Sequence, residues 1–127
     1  MKILICGSRE DFDPERAKQH LEEFIKKHRN DSFIHGGARG IDSIANDILK
    51  SMNLQVKVYL PDYQSYGNQA PLVRDRQMAM DCNMVVAFWN FKSRGTKYTI
   101  DYAKSHSVPV EIFDVRSFKG LSGRIGA

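Results

Sequence analysis

Five short apolar runs, each ended by glycine, proline or polar residues, constrain this chain more than any other feature. They are KILIC (Lys2–Cys6), SFIH (Ser32–His35), QVKVYL (Gln55–Leu60), NMVVAFW (Asn83–Trp89) and VPVEIFDV (Val108–Val115). Each is too short for a helix and rich in β-branched or aromatic residues, and the first and fourth are continuously apolar rather than alternating. Such runs are strands covered on both faces. Stretches with helical spacing separate them. Strand–helix alternation of this kind folds as an α/β domain: a five-stranded parallel sheet, helices on both faces, right-handed crossovers.

The first helix reads as Pro14–His28, with Asp13 as N-cap, Pro14 at the first helical position and Ala17, Leu21, Phe24 and Ile25 on one face. Ile41, Ile44, Ala45, Ile48, Leu49 and Met52 mark a second helix. PDYQSYGNQAP reads as a loop. The helix Leu72–Asp81 has a poor apolar stripe, since Arg74, Asp75, Arg76 and Gln77 separate Val73 from Met80. A helix without an evident core role is expected to pair with a second copy, so a homodimer is anticipated. Thr96–His106 forms the last helix. The Gly-rich basic end, residues 116–127, reads as a loosely held tail after a single domain spanning 1–115.

The 127 residues, 42% of them hydrophobic, can build one core without staples. No apolar run approaches the roughly 20 residues that cross a bilayer, and MKILIC is too short for a secretory signal. A cytoplasmic protein without membrane contact is expected. Cys6 and Cys82 read as reduced, buried thiols, and no Cys/His group has metal-binding spacing. The net charge of +4 favours anionic partners without choosing between a nucleotide and a nucleic acid.

The unusual loops all follow strands: GSRED, GGARG, PDYQSYG and NFKSRGT. In a parallel sheet these share one edge, and such sheets bind ligands there, at the point where strand order reverses. In the order 3-2-1-4-5 the reversal lies between the first and fourth strands. GSR and SRGT then face each other with GGARG alongside, bringing Arg9, Arg39 and Arg94 to one rim. Two of these loops open helices, whose N-terminal amides and partial positive charge suit a phosphate. GGARG is neither a P-loop nor G-x-G-x-x-G. Any one of these loops alone reads as a tight turn; their convergence reads as a site.

The strings ICGSRED, IHGGARGIDSIA, YGNQAPLVRDRQM and VAFWNFKSRGTKYTIDYA resemble the SLOG superfamily, and within it the small stand-alone proteins called YspA-type. Relatives include the cytokinin-activating LOG proteins and the DNA-processing protein family. The resemblance runs from Met1 to about Val115. It implies a Rossmann-like three-layer fold binding a nucleotide or nucleotide-derived ligand, ADP-ribose-like molecules among them; the expected role is that of a sensor or sequestering protein, without a cofactor. Carried over by position, the ligand-binding residues are Gly7, Ser8 and Arg9; Gly36, Gly37, Ala38, Arg39, Gly40 and Asp42; Arg74 and Met78; and Gly95 and Thr96, with Ser93 and Arg94 added from the same loop although Lys92 and Ser93 stand where the family has paired glycines. Two departures stand out. Asp75 replaces an asparagine beside the helix arginine, and Thr99 stands where LOG enzymes carry the glutamate used in cleaving the ribose–base bond. Asp101 lies on a different helix face. Cleavage of a nucleotide, or nucleic-acid binding, are the alternative functions.

Other residues admit two roles each. Trp89 either stacks on a base or packs in the core, and Tyr63 and Tyr66 either cover a base or lie free on a loop. His35 reads as a hydrogen-bonded core histidine and Arg76 as part of a solvated face. Asp42 either caps its helix or holds Arg39. Asp62, at the end of the third strand, sits where an acid binds ribose in dinucleotide folds.

Overall fold

A computed structural model describes residues 1–118. The sheet is parallel throughout, in the order β3-β2-β1-β4-β5: β1 Lys2–Gly7, β2 Ser32–His35, β3 Val56–Val58, β4 Met84–Trp89 and β5 Val110–Asp114. This is the anticipated order, with the reversal at β1 and β4, where Cys6 pairs with Ala87 and Gly7 with Phe88.

Strand alternation sorts side chains to two cores. Ile3, Ile5, Phe33, Val86 and Phe88 face α1 (Pro14–Lys27) and α2 (Ile41–Ser51). Leu4, Cys6, Ile34, Val85 and Ala87 face α4 (Ala70–Asp81) and α5 (Arg94–Ser105). A strand buried on both sides needs apolar residues at every position, hence the continuous runs. Asp13 caps α1 as expected, its Oδ1 accepting from Glu15 N at 3.0 Å.

The segment after β3 differs from the loop anticipated for it. Asp62 caps a short helix, α3 (Tyr63–Tyr66), by accepting from Ser65 N at 3.1 Å, and a 3-10 turn follows at Gly67–Gln69. Asp62 is therefore a capping residue. Helix α4 begins at Ala70, not Leu72, because Pro71 suits a first turn, where its missing N–H is not needed. Helix α5 likewise begins at Arg94, with Ser93 as N-cap. Strand β3 pairs over only three residues; Leu60, beyond it, is 70% exposed at this sheet edge.

The sparse stripe of α4 has a physical account. The helix buries Ala70, Arg74, Asp75, Met78 and Ala79, so its inner face carries an ion pair among small and apolar side chains. An apolar count misses such a face. Beyond β5, Val115 is buried against the first core in a 3-10 turn, Val115–Phe118. The rest of the basic tail lies outside the described residues. Among the described residues no helix is long and apolar enough to cross a membrane.

Two loops are pressed together at Gly40, which adopts φ +79°. A Cβ there would stand 2.5 Å from both Ser8 O and Arg9 Cα. Gly40→Ala combines this clash with a backbone conformation that L residues resist, and should cost on the order of 2 kcal/mol or more. Urea unfolding would show it as a lowered midpoint with unchanged slope.

Candidate functional site

A cleft opens at the carboxyl ends of β1 and β4. Its wall includes Gly7 and Arg9 from the first loop, Gly36, Ala38 and Asp42 from the second, Arg74 and Met78 from α4, and Ser93, Gly95 and Thr96 from the start of α5. Three of the four loops thus converge with helix α4, while PDYQSYG contributes no residue to the lining. Cys6, Pro71, Leu72, Asp75 and Thr99 complete the lining. Asp75 and Thr99, noticed in the sequence as departures from a family pattern, prove to be neighbours within it.

The second loop is held by Asp42. Its Oδ2 accepts from Gly36 N at 3.1 Å and Ala38 N at 3.2 Å. Asp42 sits in the first turn of α2 but neither caps that helix nor holds Arg39; it folds GGARG back over its own start. Arg39 points away, with its side chain 71% exposed and Nη2 3.4 Å from Glu10 Oε1. Its place at the rim does not bring it into the cleft lining, and the same holds for the exposed Arg94. Of the three rim arginines, only Arg9 lines the cleft.

Arg74 is buried, and its Nε and Nη1 are engaged. Its Nε donates to Asp75 Oδ1 at 2.8 Å, and its Nη1 donates to Gly36 O at 2.7 Å and Tyr59 O at 3.3 Å. It therefore lines the cleft and braces its wall at the same time. Gly36 makes room for it: a Cβ there would stand 2.8 Å from Nη1. Removing one partner of such a buried pair typically costs about 3–5 kcal/mol, because the other charge is left unpaired.

Ser8 is also structural. It is wholly buried, its Oγ accepts from Asn90 N at 2.9 Å, and its carbonyl accepts from Ile41 N at 3.1 Å. Gly7 lies under the same contact, where a Cβ would stand 2.4 Å from Phe88 O. Ser8, Gly37 and Gly40 lie outside the cleft lining. Asn90, which the sequence reading passed over, ties the first and fourth loops. Its Nδ2 donates to Glu10 O at 2.9 Å, and its Oδ1 accepts from Lys92 N at 2.8 Å and Ser93 N at 3.0 Å. The signal was present, an asparagine ending a strand and folding the backbone two residues on.

Trp89 is tied to the fourth loop, its Nε1 donating to Ser93 O at 3.0 Å and its ring stacked on Phe91. Tyr63 and Tyr66 are exposed. His35 is a core histidine: Nδ1 accepts from Gly37 N at 2.9 Å, so Nε2 carries the proton toward Asn46 Oδ1 at 2.9 Å.

The inner end of the cleft is acidic. Burial pushes the Asp42 carboxyl above its ordinary range, outweighing His35, the loop amides and Arg74. Burial raises Asp75 as well, against the pull of Arg74. Between them the Cys6 thiol is pushed well up, first by burial and then by both carboxyls, so it is an inert thiol rather than a nucleophile. Among the described residues no three His, Cys, Asp or Glu side chains are grouped to hold a metal.

A carboxyl whose folded-state pKa is raised gives relative stability at low pH that is lost as pH climbs from the unfolded value toward the folded one. Asp42→Asn, unable to ionise, should therefore gain on the native protein as pH rises from about 3.8 toward neutrality. Urea midpoints of both proteins across that range provide the measurement.

The fold has solved counterparts. DNA processing protein A from Helicobacter pylori, described for its single-stranded DNA binding mode, superposes with a TM-score of 0.71 at 17% identity, over 88% of this chain and 64% of that one. The Streptococcus pneumoniae protein of that name gives 0.74 at 16% identity, over 87% and 49%. TM1055, a structural genomics target, gives 0.69 at 17% identity, over 86% and 71%. This chain thus spans about two thirds or less of the two DNA processing proteins. In sequence, the Gene 61 protein of Mycobacterium phage D29 is 28% identical over 118 residues, covering 86% of this chain and 93% of the phage protein. The model of the YspA, cpYpsA-related SLOG family matches residues 1–66, just over half of the 127, and the protein belongs to that family.

Proposed function

We propose that the cleft binds the phosphorylated end of a nucleotide or nucleotide-derived ligand, and that the protein acts as a sensor or sequestering protein. The observation that carries this reading is the N-terminus of α5 opening into the cleft at the sheet's reversal point. First-turn amides of a helix have no carbonyl partners within it. Here Ser93 Oγ takes Thr96 N at 3.4 Å, while Gly95 lines the cleft and a Cβ on it would meet nothing within 4 Å. Together with the partial positive charge of the helix end and the nearby Arg9, this suits an anion. The cleft encloses about 130 Å3, less than the roughly 300–1,000 Å3 of pockets that take a whole drug-sized ligand. It therefore takes one end of the nucleotide and leaves the base toward solvent.

Thermal shift against AMP, other mononucleotides, dinucleotides and ADP-ribose tests the reading. A ligand at about 100 times its Kd adds roughly 2.7 kcal/mol. Gly95→Val projects into open space, so it should keep the melting temperature of the free protein while weakening the binding of whichever nucleotide shifts it by about tenfold, or 1.4 kcal/mol. Arg39→Ala, outside the cleft, should leave that affinity unchanged. No shift with any ligand would overturn the reading. Affinity that instead falls steeply with salt and favours single-stranded DNA would point to the activity described for the Helicobacter protein.

One observation favours a second reading, cleavage of the ribose–base bond. Thr99 leaves α5 without a carboxylate at the position used by LOG enzymes, yet Asp75 brings one beside it from α4. The Thr99 hydroxyl lies within reach of both Gly95 O, at 3.2 Å, and the Asp75 carboxyl, and its single proton serves one at a time. Arg74 holds that carboxylate, which favours a bracing role over proton transfer. AMP incubated with the protein should release no adenine above background. Release that Asp75→Asn abolishes would make the protein a hydrolase.

A further inference from the structure

We propose that the inner end of the cleft recognises the sugar hydroxyls of its ligand, so that the protein selects ribonucleotides over 2′-deoxyribonucleotides. This rests on the nucleotide reading above and names the ligand class within it. Asp42 is only 6% exposed and lines the cleft. Its Oδ2 is saturated by the amides of Gly36 and Ala38, but its Oδ1 is buried with no hydrogen-bond partner among the described residues. A buried acceptor left unmade is costly, on the order of 1–3 kcal/mol, and more for a charged group.

The hydrogen bonds that the neighbouring groups make run to other partners. The guanidinium of Arg74 serves Asp75, Gly36 and Tyr59, while the Cys6 thiol, at the same end, makes no hydrogen bond to Asp42. With no partner among the described residues, Oδ1 is the acceptor assigned to a ligand hydroxyl. Asp75 adds a second carboxyl at this end, so the floor is built from acceptors, while the mouth offers Arg9 and the amides of α5. A molecule matching that polarity carries an anion at one end and neutral O–H donors a short way along. A ribose 5-phosphate group has this form, and the small volume admits it without the base. Removing one hydroxyl leaves a buried acceptor unpaired, and sites built to hydrogen-bond a hydroxyl reject analogues lacking it strongly.

Isothermal titration with ribose 5-phosphate, 2-deoxyribose 5-phosphate, AMP and dAMP tests the inference, the first two independently of the base. Each ribo compound should bind at least about tenfold more tightly than its deoxy partner. Asp42→Asn keeps an oxygen for the two loop amides and places an N–H2 group where Oδ1 stood. It should fold, retain binding of 2-deoxyribose 5-phosphate, and lose the preference. Equal affinities for ribo and deoxy forms in the native protein would overturn the sugar inference while leaving the nucleotide reading in place. A preference that survives in folded Asp42→Asn would overturn the role of Asp42. Failure of all four compounds to bind would remove the nucleotide reading and the inference with it.

Discussion

The guanidinium of Arg74 is the joint on which the functional edge is built. From α4 it reaches the carbonyls of Gly36, after β2, and Tyr59, after β3, while Asp75 balances its charge. A buried arginine without such partners would be prohibitively costly, so these elements assemble together or not at all. The cleft wall formed by Gly36, Ala38 and Asp42 depends on this brace, because Asp42 orders the same few residues whose carbonyl Arg74 holds. Loops that are usually the mobile part of an α/β protein are here tied to the core by charge-assisted hydrogen bonds.

The glycines of GGARG serve that assembly more than they serve a ligand. Gly36 yields space to the arginine, and Gly40 lets the second loop lie on the backbone of the first. Ser8 and Asn90 complete the tie to the fourth loop. Besides these, the cleft is lined by the start of α5, Arg9 and the buried carboxyls of Asp42 and Asp75. The cleft is thus cationic at its mouth and rich in acceptors within. That polarity is what distinguishes it from a plain anion hole.

Legibility in the sequence followed the physics of each feature. The parallel sheet was readable because two-sided burial writes itself as continuous apolar runs, and KILIC and NMVVAFW are such runs. Convergence of the loops followed from topology. Boundaries after β3 were not readable in the same way: Asp62 and Pro71 are strong local signals, but a Tyr-, Gly- and Asn-rich segment looks like a loop whichever way they are used. Helix α4 was misjudged because its buried face is ionic, and apolar periodicity is silent about a buried Arg–Asp pair.

By itself, then, the sequence determined the fold class and the edge at which chemistry gathers, since these follow from hydrophobic period and strand–helix alternation, whereas the strand order was one of the arrangements open to such a chain and the packed sheet selected it. Only the tertiary structure decided which residues at that edge are structural and which face the cleft. Arg39, Arg74 and Arg9 are alike as letters near glycine loops or on a polar helix. One is paired on the surface, one is buried as a brace, and one lines the opening. The difference lies in what surrounds each guanidinium at a distance of a few ångströms, and those neighbours come from segments dozens of residues apart. The meeting of Asp75 with Thr99 and the unpartnered oxygen of Asp42 belong to the same category. They are properties of a packed interior, where burial and partnership, rather than residue type, set what a carboxyl does.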